Sequence, residues 1–150
     1  YMRAWYRLMG ARIGSGAEIS TNLSGRFDLT AIGAGNFIAD EVVFGDEDMR
    51  RGYMRLDMTR TGEQVFVGND AVVPPGAVIP DRVLIGIKSK PPANDRMQPG
   101  DTWFGSPAIR LPTRQKVDLG ADWTYKPSLR KQVARGTFEA LHTSFPAMLF

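Results

Sequence analysis

Between residues 67 and 87 an aliphatic residue recurs at every sixth position, at Val67, Val73, Ile79 and Ile85. A smaller apolar residue follows each of the first three by four, at Ala71, Ala77 and Val83. Gly68, Pro74, Pro80 and Gly86 come directly after the aliphatic positions, where a chain bending between short strands needs residues that permit or fix unusual backbone angles. Neither the helical period nor simple alternation accounts for this spacing. A six-residue beat predicts one short strand and one corner per repeat, the pattern of a parallel β-helix.

The beat begins earlier, at Ile13 and Ile19 with Gly25 in phase and Ala17, Leu23 and Leu29 as companions. After a one-residue insertion it resumes at Ile32, Ile38 and Phe44, with Gly33 and Gly45 at the corner position. If three repeats close one triangular coil of about eighteen residues, Ile13, Ile32, Val67 and Ile85 form one inward column and Ile19, Ile38, Leu56 and Val73 another. That register gives about four coils, makes residues 46–64 one degraded coil, and leaves little chain for a protruding loop. Three segments follow: residues 1–12 as an N-terminal helix, 13–112 as the repeat, and 113–150 as an irregular strap and a C-terminal helix. The first helix ends at Gly10 and carries Tyr1, Trp5 and Tyr6 beside Arg3 and Arg7. Those residues suit a membrane interface, and equally a cap over the open first coil, which terminal repeats require. After Ile87 the pattern leaves the coil through Lys88-Ser89-Lys90-Pro91-Pro92 and returns at residues 99–108. The strap carries Trp123 and Tyr125. Ser128 is placed to cap a helix through about residue 144, with Leu129, Val133, Leu141 and Phe145 on its apolar face and Pro146 kinking or ending it.

Composition narrows the function. The 150 residues suit one domain. The net charge of +3 comes with scattered Arg and no dense basic run, which argues against nucleic acid as a partner. The absence of Cys excludes disulfides and thiolate chemistry, and a single His makes a zinc centre a poor fit, so no metal is expected. No run of eighteen apolar residues occurs. A Tyr at position 1 and an Ala-Met-Leu-Phe ending are expected of a piece of a longer protein, with a trimmed mature chain as the alternative.

Two stretches, Val67–Ile87 and Gly105-Ser106-Pro107-Ala108-Ile109-Arg110, resemble the hexapeptide-repeat acyltransferases with a left-handed parallel β-helix. The second resembles that family's Gly-Asn-Pro-Ala-Lys closing motif, with Ser106 in the place of Asn. Residues 10–112 carry the resemblance, and the left-handed winding rests on it alone, since ordinary crossovers are right-handed. A narrower similarity lies in Leu8–Gly14, Phe44–Glu47, Val65–Asn69, Trp103–Pro107 and Leu111–Arg114. These resemble the C-terminal region of membrane-bound nonribosomal-peptide-synthetase-like proteins of the poly-lysine synthetase type. The resemblance implies acyl transfer from a thioester on coenzyme A or carrier-protein phosphopantetheine, with no permanently bound cofactor. It also implies a carrier protein or neighbouring modules as partners, and a place on the cytoplasmic side of the inner membrane. A stand-alone trimeric acetyltransferase, cytoplasmic and coenzyme-A-dependent, and a non-catalytic scaffold that docks a carrier domain are the alternatives.

Such acyltransferases use a His as general base, and this chain has none in its coils; His142 lies on the terminal helix. A carboxylate is the available substitute. Asp46, Glu47, Asp48 and Asp57 lie in the irregular coil, and Asp57 and Asp46 are the candidate bases, Asp57 first because neighbouring Leu56 is expected to face inward. The alternative is a solvated, Arg-paired corner. Lys88 and Lys90 flank Ser89 where a donor phosphate would sit, Asn69 stands at a corner, and Trp103 either walls a pocket or closes the core.

Overall fold

The computed structural model describes residues 2–23, 26–112 and 128–147, with the side chains of the last segment described through His142. The chain divides into two compact units, Tyr1–Arg114 and Gln115–Phe150. The predicted strap, Gly25 and the Phe145 side chain lie outside the described residues.

The first unit opens with helix α1 (Met2–Leu8). Short strands follow: β1 (Arg12–Ile13), β2 (Glu18–Ile19), β3 (Thr30–Ile32), β4 (Phe37–Ile38), β5 (Val43–Phe44), β6 (Asp48–Arg50) and β7 (Tyr53–Arg55). Next come β8 (Thr59–Thr61), β9 (Phe66–Val67), β10 (Val72–Val73), β11 (Val78–Ile79), β12 (Leu84–Ile85), β13 (Thr102–Phe104) and β14 (Ile109–Arg110). They stack into three sheets, ordered β1-β3-β8-β11, β14-β13-β12-β9-β4-β2 and β10-β5. All pairings in these sheets are parallel except β13 with β14, so the chain visits the sheets in rotation, one coil upon the next.

The register corrects the columns expected from sequence. Ile13 aligns with Ile32 and Thr61 with Ile79, while Val67 and Ile85 stack under Ile38, and Val73 pairs with Phe44. The steps along the first column are 19, 29 and 18 residues, so one coil carries a long insertion. Strands β6 and β7 fill it as an antiparallel hairpin, with Met49 opposite Met54, in place of a degraded coil. Leu56 accordingly points outward and is 44% exposed.

Alternation within each two-residue strand sets the core: Ile38, Val67, Val73 and Ile85 are fully buried, and their preceding residues face out. Among the inward positions that are polar, Asn36 and Thr61 satisfy each other. The buried Asn36 amide donates to Thr61 Oγ1 at 2.5 Å, its carbonyl accepts the Val65 N–H at 2.8 Å, and Thr61 Oγ1 also accepts the Gly33 N–H at 3.1 Å. Such pairing is the condition for burying an amide at all.

Both ends of the core are closed by rings. Tyr6, the buried residue of α1, stacks on Phe27 with ring centroids 5.6 Å apart. Its hydroxyl donates to the Thr21 carbonyl at 3.2 Å and accepts the Leu23 N–H at 3.3 Å. The helix is therefore a cap on the first coil. At the other end Trp103 follows Ile85 in the same column and is 3% exposed beside buried Met97.

The second unit contains α2 (Leu129–Ala147), longer than the sequence pattern predicts and continuing one residue past Pro146. Leu129, Val133 and Leu141 are all exposed on it.

The coil corners pack backbone on backbone. A Cβ on Gly14 would strike the Ala34 amide, one on Gly33 the Gly62 carbonyl, and one on Gly62 the Asp81 carboxylate. None of the three has positive φ, so the constraint is space. Gly33→Ala is expected to destabilise the unit by at least about 1–3 kcal/mol, read as a fall in the urea midpoint; an unchanged midpoint would show that the coils spread at no cost.

Candidate functional site

The insertion and the coil exit place the predicted site residues at two different corners. The hairpin turns through Arg51 and Gly52, with φ of 50° and 79°, the paired left-handed conformation that matches strand twist in a two-residue hairpin. Its side chains are open to solvent, with Tyr53 82%, Met49 65% and Met54 50% exposed. Arg26 reaches its base, 3.9 Å from the Glu47 carboxylate and 4.0 Å from the Met54 sulfur.

Asp57 stands where the hairpin rejoins the coil. Its Oδ2 lies 3.2 Å from Arg55 Nη2, and its Oδ1 accepts the Met58 N–H at 2.9 Å. These bonds, and not an inward-facing Leu56, hold it in place. The carboxylate lies over Gly76, where a Cβ would come within 2.6 Å of Oδ2. From the other side Asn94 clasps the same corner, donating to the Gly76 carbonyl at 2.9 Å and accepting the Val78 N–H at 2.8 Å. The Pro-Pro-Gly corner is thus held between a half-exposed carboxylate and a carboxamide. Asp46 is partly buried at the other root of the hairpin, just after Gly45, which packs on buried Thr59.

The second corner gathers Asn69, Lys88, Ser89 and Lys90. The Lys88 N–H donates to the Asn69 carbonyl at 2.9 Å, and Lys90 donates its N–H to the Gly105 carbonyl at 3.1 Å. Both lysine side chains are exposed, and Lys88 has φ of 50°. Ser89 is 2% exposed and its hydroxyl is engaged, donating to the Ile87 carbonyl at 2.9 Å and accepting the Gly105 N–H at 2.7 Å. That hydroxyl anchors the returning segment 99–105 to the coil. Trp103 closes the core, with the Arg96 guanidinium 5.8 Å from its ring centroid.

The β5–β10 sheet joins the two corners. Its outer row, Val43 and Val72, is 38% and 42% exposed, and the Val72 N–H to Ser89 carbonyl bond of 2.9 Å brings Lys90 into line with it. This row runs from coil to coil and ends at Lys90, while Asp46 and Asp57 stand at the corner that follows the two strands, and Asn69 and Lys88 at the corner that precedes β10. His142 stacks on Phe138 at 6.2 Å on α2, in the other unit.

Sequence reasoning missed Asn94 and the pair of Asp101 with Arg110, whose carboxylate and guanidinium approach to 2.6 Å with the Asp101 side chain 3% exposed. No spacing signal marked either. A carboxylate following Pro-Gly was the one hint that Asp101 turns inward.

No family model matches the chain. It is 43% identical over 150 residues to a delta-poly-L-ornithine synthetase of Acinetobacter baumannii, a match covering 99% of this chain and 11% of the length of that protein. Among solved structures a maltose O-acetyltransferase from Clostridium difficile superposes with a TM-score of 0.53 and 16% identity, over 71% of this chain and 60% of that one. The coiled unit therefore has the fold of that acetyltransferase. An N-acyltransferase from Bacillus cereus overlaps 77% of this chain and 91% of its own with a TM-score of 0.41 and 11% identity, too loosely to bear on chemistry.

Ser89→Ala strands a part-buried N–H at Gly105 and is expected to cost about 1–2 kcal/mol in urea denaturation. Unchanged stability would free that hydroxyl for a ligand.

Proposed function

We propose that the chain is an acyl-transfer module of a larger synthetase of the nonribosomal-peptide-synthetase-like type, moving a thioester-bound acyl or aminoacyl group onto an amine. The observation that carries this reading is the identity of 43% to a delta-poly-L-ornithine synthetase along nearly the whole chain. The acetyltransferase fold of the coiled unit agrees with it, and in this reading the coil winds left-handed as in the acyltransferases it resembles.

The donor is a thioester of coenzyme A or of a carrier protein's phosphopantetheine. Lys88 and Lys90 fit its phosphate: both are exposed, and neither has an ion pair among the described residues. The pantetheine arm runs along β10, over the outward Val72, toward the corner where the hairpin rejoins the coil. There a carboxylate, Asp57 first and Asp46 second, takes the proton of the acceptor nitrogen as that nitrogen attacks the thioester carbonyl. The tetrahedral intermediate then expels the thiolate and leaves an amide. Arg55, 3.2 Å from Asp57, fixes the carboxylate's orientation.

A scaffold that docks a carrier domain without turnover is the second reading. It is favoured by the engagement of the Ser89 hydroxyl and the Trp103 ring in structure and by the lack of His in the coils. A stand-alone trimeric acetyltransferase would be seen as a trimer by light scattering.

The deciding assay supplies a pantetheine aminoacyl thioester and an amine and follows thiol release. Asp57→Asn is expected to lower kcat by about 100-fold at nearly constant KM, the usual loss for a general base. Turnover indifferent to both Asp57→Asn and Asp46→Asn would remove the mechanism, and binding without turnover would favour the scaffold.

A further inference from the structure

We infer that Arg55 is a second catalytic residue, donating hydrogen bonds to the thioester carbonyl oxygen as it becomes an oxyanion. The inference rests on the acyl-transfer reading above and adds a group to its chemistry.

Two Arg–Asp pairs belong to the hairpin and its root. Alternation puts Asp48, Arg50, Tyr53 and Arg55 on one side of the hairpin and Met49 and Met54 on the other. Arg50 Nε lies 3.1 Å from Asp48 Oδ1, on the hairpin itself. Arg55 Nη2 lies 3.2 Å from Asp57 Oδ2, and this pair stands on the coil. A Cβ on Gly76 would meet Asp57 Oδ2 at 2.6 Å and Arg55 Nη2 at 3.1 Å, so the bare glycine makes room for both head groups. Gly76 closes the Pro74-Pro75-Gly76 corner that follows β10, where the donor's path ends.

An acyl carbonyl arriving at this corner needs hydrogen-bond donors. The backbone offers none. Pro74 and Pro75 carry no N–H, Thr59 Oγ1 accepts the Gly76 N–H at 3.2 Å, the Pro74 carbonyl accepts the Ala77 N–H at 3.2 Å, and Asn94 Oδ1 accepts the Val78 N–H at 2.8 Å. The Met58 N–H donates to Asp57 itself, at 2.9 Å. Asn94 keeps one amide hydrogen, but it lies on the other side of the corner. The guanidinium remains. It presents several N–H donors in a fixed fork, and its bond among the described residues is the one to Asp57 Oδ2. The Met58 N–H holds Asp57 a second time through Oδ1, which leaves the other guanidinium donors free of that task.

Charge supports the assignment. Before reaction the guanidinium balances the Asp57 carboxylate. The amine nitrogen attacks the carbonyl carbon, the C=O π pair moves onto oxygen, and Asp57 takes the N–H proton. The carboxylate is neutralised as the oxyanion forms, so the guanidinium exchanges one anionic partner for the other. Its bond to oxygen strengthens as charge develops there, the condition for raising kcat. When the oxygen's pair returns, the C–S bond breaks, the thiolate takes the proton from Asp57, and an amide remains. The Arg55 and Asp57 side chains are 64% and 50% exposed, so substrate reaches both without displacing the coil.

The test follows thiol release from a pantetheine aminoacyl thioester and an amine in the parent, Arg55→Gln, Asp57→Asn and the double variant, with Arg50→Gln as control. Arg55→Gln is expected to lower kcat by about 100-fold at nearly constant KM. It should also lower the residual kcat of Asp57→Asn by at least about tenfold more. Arg50→Gln should keep the parent's kcat, and circular dichroism should be the same throughout, since the substituted side chains are exposed. An anchor for Asp57 and nothing more would leave the rate of Asp57→Asn untouched by the second substitution, and that result overturns the inference. Arg55→Gln turning over as the parent does, or Arg50→Gln falling equally, overturns it too. Each of these leaves the acyl-transfer reading standing, whereas a parent without turnover removes that reading and the inference together.

Discussion

Where each coil turns its corner, the backbone lies against that of the next coil with no room for a Cβ at Gly14, Gly33 or Gly62. This approach lets strands of two or three residues bond to their neighbours, as in the Gly14 N–H to Ile32 carbonyl bond of 2.7 Å and its counterpart from Gly62 to Ile79. Sheets this narrow are stable only as a stack, because each coil gives its hydrogen bonds and its inward side chain to the coils on either side. The interior is consequently one side chain wide in each column, and its composition is strict. Thr61 and Asn36 break the aliphatic rule together, each supplying the other's partner.

The same geometry explains which parts of the fold the sequence carries openly. Val67, Val73, Ile79 and Ile85 are inward because the six-residue beat is a property of each local strand and corner, and all four are buried. Stacking between coils is not local. It depends on the length of everything between two strands, and the hairpin lengthens one coil to 29 residues from Ile32 to Thr61. The excess over the neighbouring steps of 19 and 18 residues is close to two hexapeptides. Leu56 therefore falls in phase by coincidence, and the apparent column through it ran two repeats out of step.

The candidate site was legible in residue type more than in placement. The irregular coil and the Lys-Ser-Lys exit stand out because charge interrupts the beat there, and the structure sets them at the two ends of the β5–β10 sheet. What the sequence did not carry was the division of labour at each. Ser89 and Lys90 are one residue apart, yet the first is 2% exposed and bonded to Gly105, and the second is open to solvent. That difference is made by the returning segment 99–105, which is distant in the chain.

A coil built this way restricts where chemistry or recognition can reside. Inward positions are buried, strand amides are paired between coils, and corner glycines have no side chain. Solvent-facing functional groups are left to outward rows, to corners such as Lys88 and Asp57, to the inserted hairpin, and to the two ends. Trp103 seals one end from within, and Tyr6 seals the other from a helix whose far side remains open. A stack is closed by the inner face of its cap alone, so the residues on the outer face of α1 are under no demand from folding. Trp5 and Leu8 stand there 53% and 82% exposed, against the tendency of water-facing caps to be polar, and packing among the described residues does not account for them.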